Sequence, residues 1–170
     1  GYVSGQPEPG STPAVTLGAR TSRFERALSY AQLGVEHILL GVDHLLFVAA
    51  LVMLVRGRRQ LALTITAFTV AHSITLALAT LGLIAIPSPP VEAAIALSIT
   101  FVAVEILRRE QGRRSLASEQ PWLVAFSFGL LHGLGFAGAL AEVGLPGNSI
   151  PLALLFFNIG VEIGQLIFVG

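Results

Sequence analysis

Five long apolar stretches separated by short breaks leave this chain few ways to fold. They run from Gly34 to Val55, Leu61 to Ile86, Val91 to Leu107, Pro121 to Glu142 and Ile150 to Val169. Each is long enough, at about 1.5 Å of rise per residue, to cross most or all of roughly 30 Å of hydrocarbon. Lipid-exposed strands are ruled out because every backbone group must be satisfied within the segment, and the short alternating segments of a barrel are absent. The breaks are Arg56 to Gln60, Pro87 to Pro90, Arg108 to Gln120 and Val143 to Ser149. Connections this tight predict antiparallel neighbours. The expected fold is all-α: a polytopic transmembrane helix bundle with five visible spans. The chain begins at Gly1 without Met and stops at Gly170 close behind a hydrophobic run, so it reads as a trimmed piece with a sixth helix missing.

Composition points the same way. Of 170 residues 54% are hydrophobic and 12% charged, and the mean hydropathy is +0.78, well outside the range of soluble domains. The lipid bilayer is therefore the expected partner. Residues 1–20, with Pro7, Pro9 and Pro13, have the chemistry of an extracytoplasmic linker. Residues 21–33 put Phe24, Leu28 and Ala31 on one side, as an amphipathic interfacial helix would, and 34–170 form the transmembrane metal-binding and transport domain. All ten cations are Arg. Seven lie in the first and third loops, which should face the cytoplasm of a cell (inner) membrane and leave the N-terminus extracytoplasmic. Arg20, Arg23 and Arg26 oppose this but can rest on headgroups. The net charge is zero with no basic stripe, so no nucleic-acid partner is expected.

The polar residues inside the spans carry the chemistry. With no cysteine, thiolate zinc and iron–sulfur sites are excluded, and any metal must be held by nitrogen and oxygen. An acidic residue at a helix centre costs on the order of 3 kcal/mol, yet the first span holds Glu36, His37, Asp43 and His44. On a straight helix His37 and His44 share a face but lie about 10 Å apart, too far for one ion to take both easily. Asp43 and His44 sit at mid-depth, where either can ligate or the carboxylate can orient another histidine. Counting inward, His72, Ser98, His132 and Asn158 fall at the same depth. A single polar histidine can simply hydrogen-bond a neighbouring helix, but one polar layer drawn from five helices is what a midplane site needs.

The flanks extend that layer. Thr66, Thr69, His72 and Thr75 form one stripe and Asn158, Glu162 and Gln165 another; each suits either helix packing or a hydrated path. The pairs Gly129/Gly133 and Gly160/Gly164 allow close helix approach. Glu36, Glu92 and Glu142 lie near the expected outer mouth, where carboxylates concentrate cations, although Glu92 also fits a helix-start role. Glu105 is expected to pair with Arg108 and Arg109. Phe68-x-x-x-His72 and Phe128-x-x-x-His132 are a weak internal echo. Imidazole and carboxylate suit nickel, zinc, cobalt or iron as divalent ions, and a lone Met disfavours Cu⁺.

At these residues the chain resembles the HupE/UreJ family of nickel permeases. The first span reads His37-Ile-Leu-Leu-Gly41-Val-Asp43-His44, similar to the family pattern H-x-x-x-G-x-D-H. Further similarity lies around Phe68 to Leu76, Val91 to Ile99, Phe128 to Phe136 and Phe157 to Gln165. Hydrogenase-linked members commonly have Pro after the first His, where this chain has Ile38, placing it in a broader branch often fused behind an extracytoplasmic domain. The resemblance implies His37, Asp43 and His44 as signature metal residues, and a further C-terminal helix. His72, His132 and Glu162 join them from depth and the matched motifs. The expected function is a permease, not an enzyme, that captures a divalent transition metal at Glu36 and His37 and passes it to Asp43, His44, His72 and His132. Ser98, Asn158, Glu162 and Gln165 serve as supporting or pathway residues, with nickel favoured. An intramembrane metal-dependent hydrolase, or a membrane anchor or sensor for an extracytoplasmic domain, is the alternative.

Overall fold

The computed structural model describes residues 22–135 and 150–170. The expected linker, Glu142 and the fourth loop lie outside the described residues. Within them the chain forms seven helices and no strand: α1 (Arg23–Leu40), α2 (Val42–Leu54), α3 (Arg58–Thr80), α4 (Ser88–Glu110), α5 (Leu116–Glu119), α6 (Pro121–Gly135) and α7 (Ile150–Val169). The all-helical architecture is as expected.

Helix α1 starts on a capping box. The Ser22 hydroxyl accepts from the Glu25 N–H at 3.1 Å, and the Glu25 carboxylate accepts from the Ser22 N–H at 2.6 Å. The helix then runs unbroken through Leu33 and Gly34, where the sequence suggested a passage from surface helix to span. The interruption comes later, at Gly41. Its backbone (φ −79°, ψ 96°) is extended, and α2 leaves at 73° to α1. Glycine gives up the most backbone freedom in a helix, and here the space of a side chain is already taken. A Cβ at Gly41 would lie 2.7 Å from the His37 carbonyl oxygen and 2.9 Å from His44 Nδ1.

Three helices, α3, α4 and α7, are individually long and apolar enough to cross a membrane, and the bent pair α1–α2 reaches that length and apolarity only when taken together, as a broken span or a re-entrant loop. The first of the five expected spans is therefore not one straight helix. The described part of α6 has 15 residues, and its expected continuation to Glu142 lies outside the described residues. Helix α4 opens with Pro89 and Pro90 in its first turn, where the missing N–H groups have no helical partner to lose.

The closest pairings are not between consecutive helices. A Cβ on Gly129 would collide with the Phe68 carbonyl, and one on Gly133 with the His72 carbonyl and the Thr75 hydroxyl. Residue numbers rise together, so α3 and α6 run parallel. Gly34 likewise rests on Phe157 and Val161, Gly160 on Ala31 and Gly164 on Val35, making α1 and α7 a second parallel pair. Small residues bring these backbones together where lipid supplies no hydrophobic drive.

Two apolar clusters result. One joins Phe47, Leu51, Leu54, Ile65, Phe68, Val102 and Val124; the other joins Ile38, Leu76, Leu154, Phe157 and Val161. On α3, Phe68 belongs to the first and Leu76 to the second, and His72 lies between them. Around the outside Leu40, Leu63, Leu97, Leu155 and Ile167 are exposed, an apolar surface suited to lipid. At the arginine-bearing end, Glu105 pairs with Arg108 at 3.0 Å and accepts from Ser115 Oγ and the Ala117 N–H. Arg109, expected to share Glu105, instead donates to the Met53 and Leu54 carbonyls at the end of α2.

Candidate metal centre

The break at Gly41 changes what α1 and α2 present. With the chain turned there, the rings of His37 and His44 stand 4.7 Å apart between centroids, about half the separation that a straight helix imposes. The sequence-based reading that one ion cannot easily take both is corrected. His72 of α3 joins them, 6.1 Å from each ring. One ligand nitrogen from each of His37, His44 and His72 lies within 4.8 Å of the others. Nitrogens bound to one zinc-like ion at about 2.0–2.1 Å sit roughly 3.4 Å apart in tetrahedral geometry. Closure by an ångström or so is within the reach of ring rotations.

Hydrogen bonds assign the free lone pairs. Asn158 is oriented by its own Nδ2, which donates to the Leu154 carbonyl at 2.7 Å. Its Oδ1 therefore faces His72 Nδ1 at 3.2 Å, which must carry the proton, leaving the lone pair on Nε2. His72 Nε2 is buried and has no hydrogen-bond partner among the described residues, like His44 Nε2. The same logic fixes His132 on α6. Ser98 Oγ donates to the Ile95 carbonyl at 2.6 Å, so it accepts from His132 Nε2 at 3.1 Å. The Nδ1 lone pair of His132 is then free, again buried without a partner among the described residues. Carbonyl and hydroxyl partners that hold the far nitrogen of a ligating imidazole are the usual support of a metal site.

His132 packs on His44 at 5.0 Å between centroids, beside the three-histidine group rather than in it. Phenylalanines wall the rings: Phe157 against His37 at 5.4 Å, and Phe47 and Phe68 against His132 at 5.3 and 5.2 Å. The sequence offered Phe68 only as part of the Phe-x-x-x-His echo and Phe157 only as the edge of a matched motif, and nothing in it marked Phe47. Gly41, whose break assembles the group, entered only as a motif position.

The carboxylates lie elsewhere. Asp43 is exposed in the first turn of α2, and Glu36 is exposed and accepts from Gln32 Nε2 at 2.8 Å. Glu162 is half-buried and accepts from the Thr66 hydroxyl at 2.6 Å. Gln165 Oε1 accepts from Thr69 at 2.9 Å. The structure thus brings His37, His44, His72 and His132 together with Asn158 and Ser98 behind them, sets Glu162 and Gln165 along α3, and leaves Glu36 and Asp43 on the surface.

Apolar helices around a largely buried group of histidine nitrogens define a multi-pass membrane protein with the makings of a transition-metal site. A family model described as HupE / UreJ protein matches residues 14–170. The chain belongs to the HupE/UreJ family, and membership implies a nickel/cobalt transporter-like membrane protein. No curated protein and no solved structure matches it.

Proposed function

We propose that this protein is a permease that carries a divalent transition-metal ion, nickel by preference, across the cell (inner) membrane through the histidine group at the bend of α1–α2. The observation that carries the reading is the approach of His37, His44 and His72 to within 4.8 Å. His132 stands next in line, with its free nitrogen available to take over a ligand position. Asp43 adds negative charge one residue from His44, and Glu36 attracts cations from the extracytoplasmic side. Residues 1–20 form the extracytoplasmic linker, and the arginine-bearing loops face the cytoplasm, as positive charge on that side favours. Neutral nitrogen ligands bind such ions without the grip of thiolates, which suits a site that must also release its cargo.

The deciding experiment is uptake of radiolabelled nickel into proteoliposomes. Time-dependent uptake above empty vesicles, abolished by His44→Ala, is the expected result. Tight binding of the ion without uptake would instead favour an intramembrane metallohydrolase or a sensor.

A further inference from the structure

Two sets of side chains lie between the histidine group and the arginine-bearing end, and they differ in chemistry. Through the bundle centre the way is phenylalanine. Phe47 packs on Phe68 and Phe128 at 5.2 and 5.9 Å, and Phe128 on Phe101 at 5.5 Å. Leu51, Leu54 and Val102 fill the space beyond them. A divalent ion cannot enter such a dry layer with its hydration shell.

The interface of α3 and α7 is polar instead. Three rungs join the helices there: His72–Asn158, Thr69–Gln165 and Thr66–Glu162, at 3.2, 2.9 and 2.6 Å. Beyond the last rung a cleft of about 300 Å³ opens beside Arg58, Leu61 and Leu166. On the other side of His72 a cleft of about 370 Å³ reaches Ser73 and Asn158. The Thr69–Gln165 rung is incomplete. Gln165 is 1% exposed, and one edge of its carboxamide has no hydrogen-bond partner among the described residues. A buried polar atom left this way is costly unless water or an ion meets it. An amide flip presents either its oxygen to a cation or its N–H to water.

We infer that the ion leaves the histidines along the α3–α7 interface, past the Glu162 carboxylate and the Gln165 carboxamide to the cleft at Arg58, while the phenylalanine layer keeps the bundle centre shut. The inference rests on the transport reading and adds the route. Along it nitrogen donors give way to the oxygens of amide, hydroxyl and carboxylate groups. Each holds a late transition metal less selectively than imidazole, so the ion can move on.

The native chain has no cysteine, so single thiols can map the route in proteoliposomes loaded by radiolabelled nickel. If the parent protein takes up no nickel, the transport reading falls and the route with it. Given parental uptake, Gln165→Leu and Glu162→Gln should lower it severalfold while nickel still raises thermal stability, the readout of an intact histidine group. Unchanged uptake in both would overturn the route. So would a Gln165→Leu variant that loses stabilisation and uptake together, because the interface would then serve the binding site itself. Should these variants fold poorly, thiols still decide. A small thiosulfonate should react with Thr66→Cys and block uptake, with nickel slowing the reaction, and should spare Val102→Cys. Reaction at Val102→Cys that blocks uptake, with Thr66→Cys indifferent, would put the route through the centre.

Discussion

His72 and His132 owe their free nitrogens to Asn158 and Ser98, and that dependence can be measured. Replacing Asn158 by Leu removes the acceptor that pins the His72 proton on Nδ1, and loss of such a partner typically weakens metal affinity about 10- to 100-fold. Nickel titration of Asn158→Leu should show a drop of this order, with Asn158→Asp close to the parent. Removal of the ligands themselves should be non-additive. A ligand at a hundred times its Kd stabilises the native state by about 2.7 kcal/mol. His44→Ala and His72→Ala should each lose most of that shift in thermal melts, and the double variant little more. If each single variant keeps half, the rings bind separately and the shared site is wrong. At this scale the sequence was legible in one respect and opaque in another. Counting depth along each helix brought His72 to Asn158 and His132 to Ser98, because α3, α4, α6 and α7 run unbroken through those residues. The same count failed for His37 and His44, since a fixed rise per residue presumes that the helix between them continues.

Why Gly41 stayed hidden is a question about elements. A glycine inside an apolar run costs a helix only about 1 kcal/mol relative to alanine, and such runs carry many of them; the chain has 18. Nothing local separates Gly41, which ends a helix, from Gly34, Gly129 or Gly160, which continue one. The distinction lies in what approaches from outside: backbone of α7 at Gly34, backbone of α3 at Gly129 and Gly133. These contacts predict sharply graded substitution effects. Gly133→Leu would drive a side chain into the His72 carbonyl and Thr75, and overpacking of this kind costs about 1–3 kcal/mol or more. It should lower the melting temperature and disturb metal binding together, because the displaced backbone carries His72. Gly160→Leu, packed on Ala31, should cost similar stability. Gly57→Ser faces open space but carries φ 99°, so only backbone strain should register, as a small shift in melting temperature.

The apolar stretches gave the whole molecule its outline. Their helical character and the small-residue contacts held, but the parallel pairing of α1 with α7 and of α3 with α6 did not follow from short loops, which speak only about consecutive helices. Orientation rests on arginine distribution. Thiols placed at Arg56 and Gln111, both exposed beside the arginine-bearing end, should be labelled by an impermeant maleimide only from the cytoplasmic side. One at Leu83, 69% exposed in the α3–α4 loop, should be labelled only from outside. Reversed labelling would invert the direction of transport.

The bend at Gly41 has an electrostatic side as well. Where α1 stops and α2 starts, two peptide macrodipoles are severed instead of running through. The end of α1 leaves carbonyls worth roughly half a negative charge close to His37, and the start of α2 exposes roughly half a positive charge beside His44. The first would draw a cation in, and the second would push it away. Asp43, in the first turn of α2, is placed to cancel that repulsion without touching the ion. Asp43→Asn should therefore weaken nickel binding by about 0.3–2 kcal/mol, roughly a factor of 2 to 30 in Kd, and the loss should shrink as salt rises. Abolished binding at every ionic strength would make Asp43 a ligand instead. A helix broken beside a metal site thus turns its own backbone into part of the field that the ion feels.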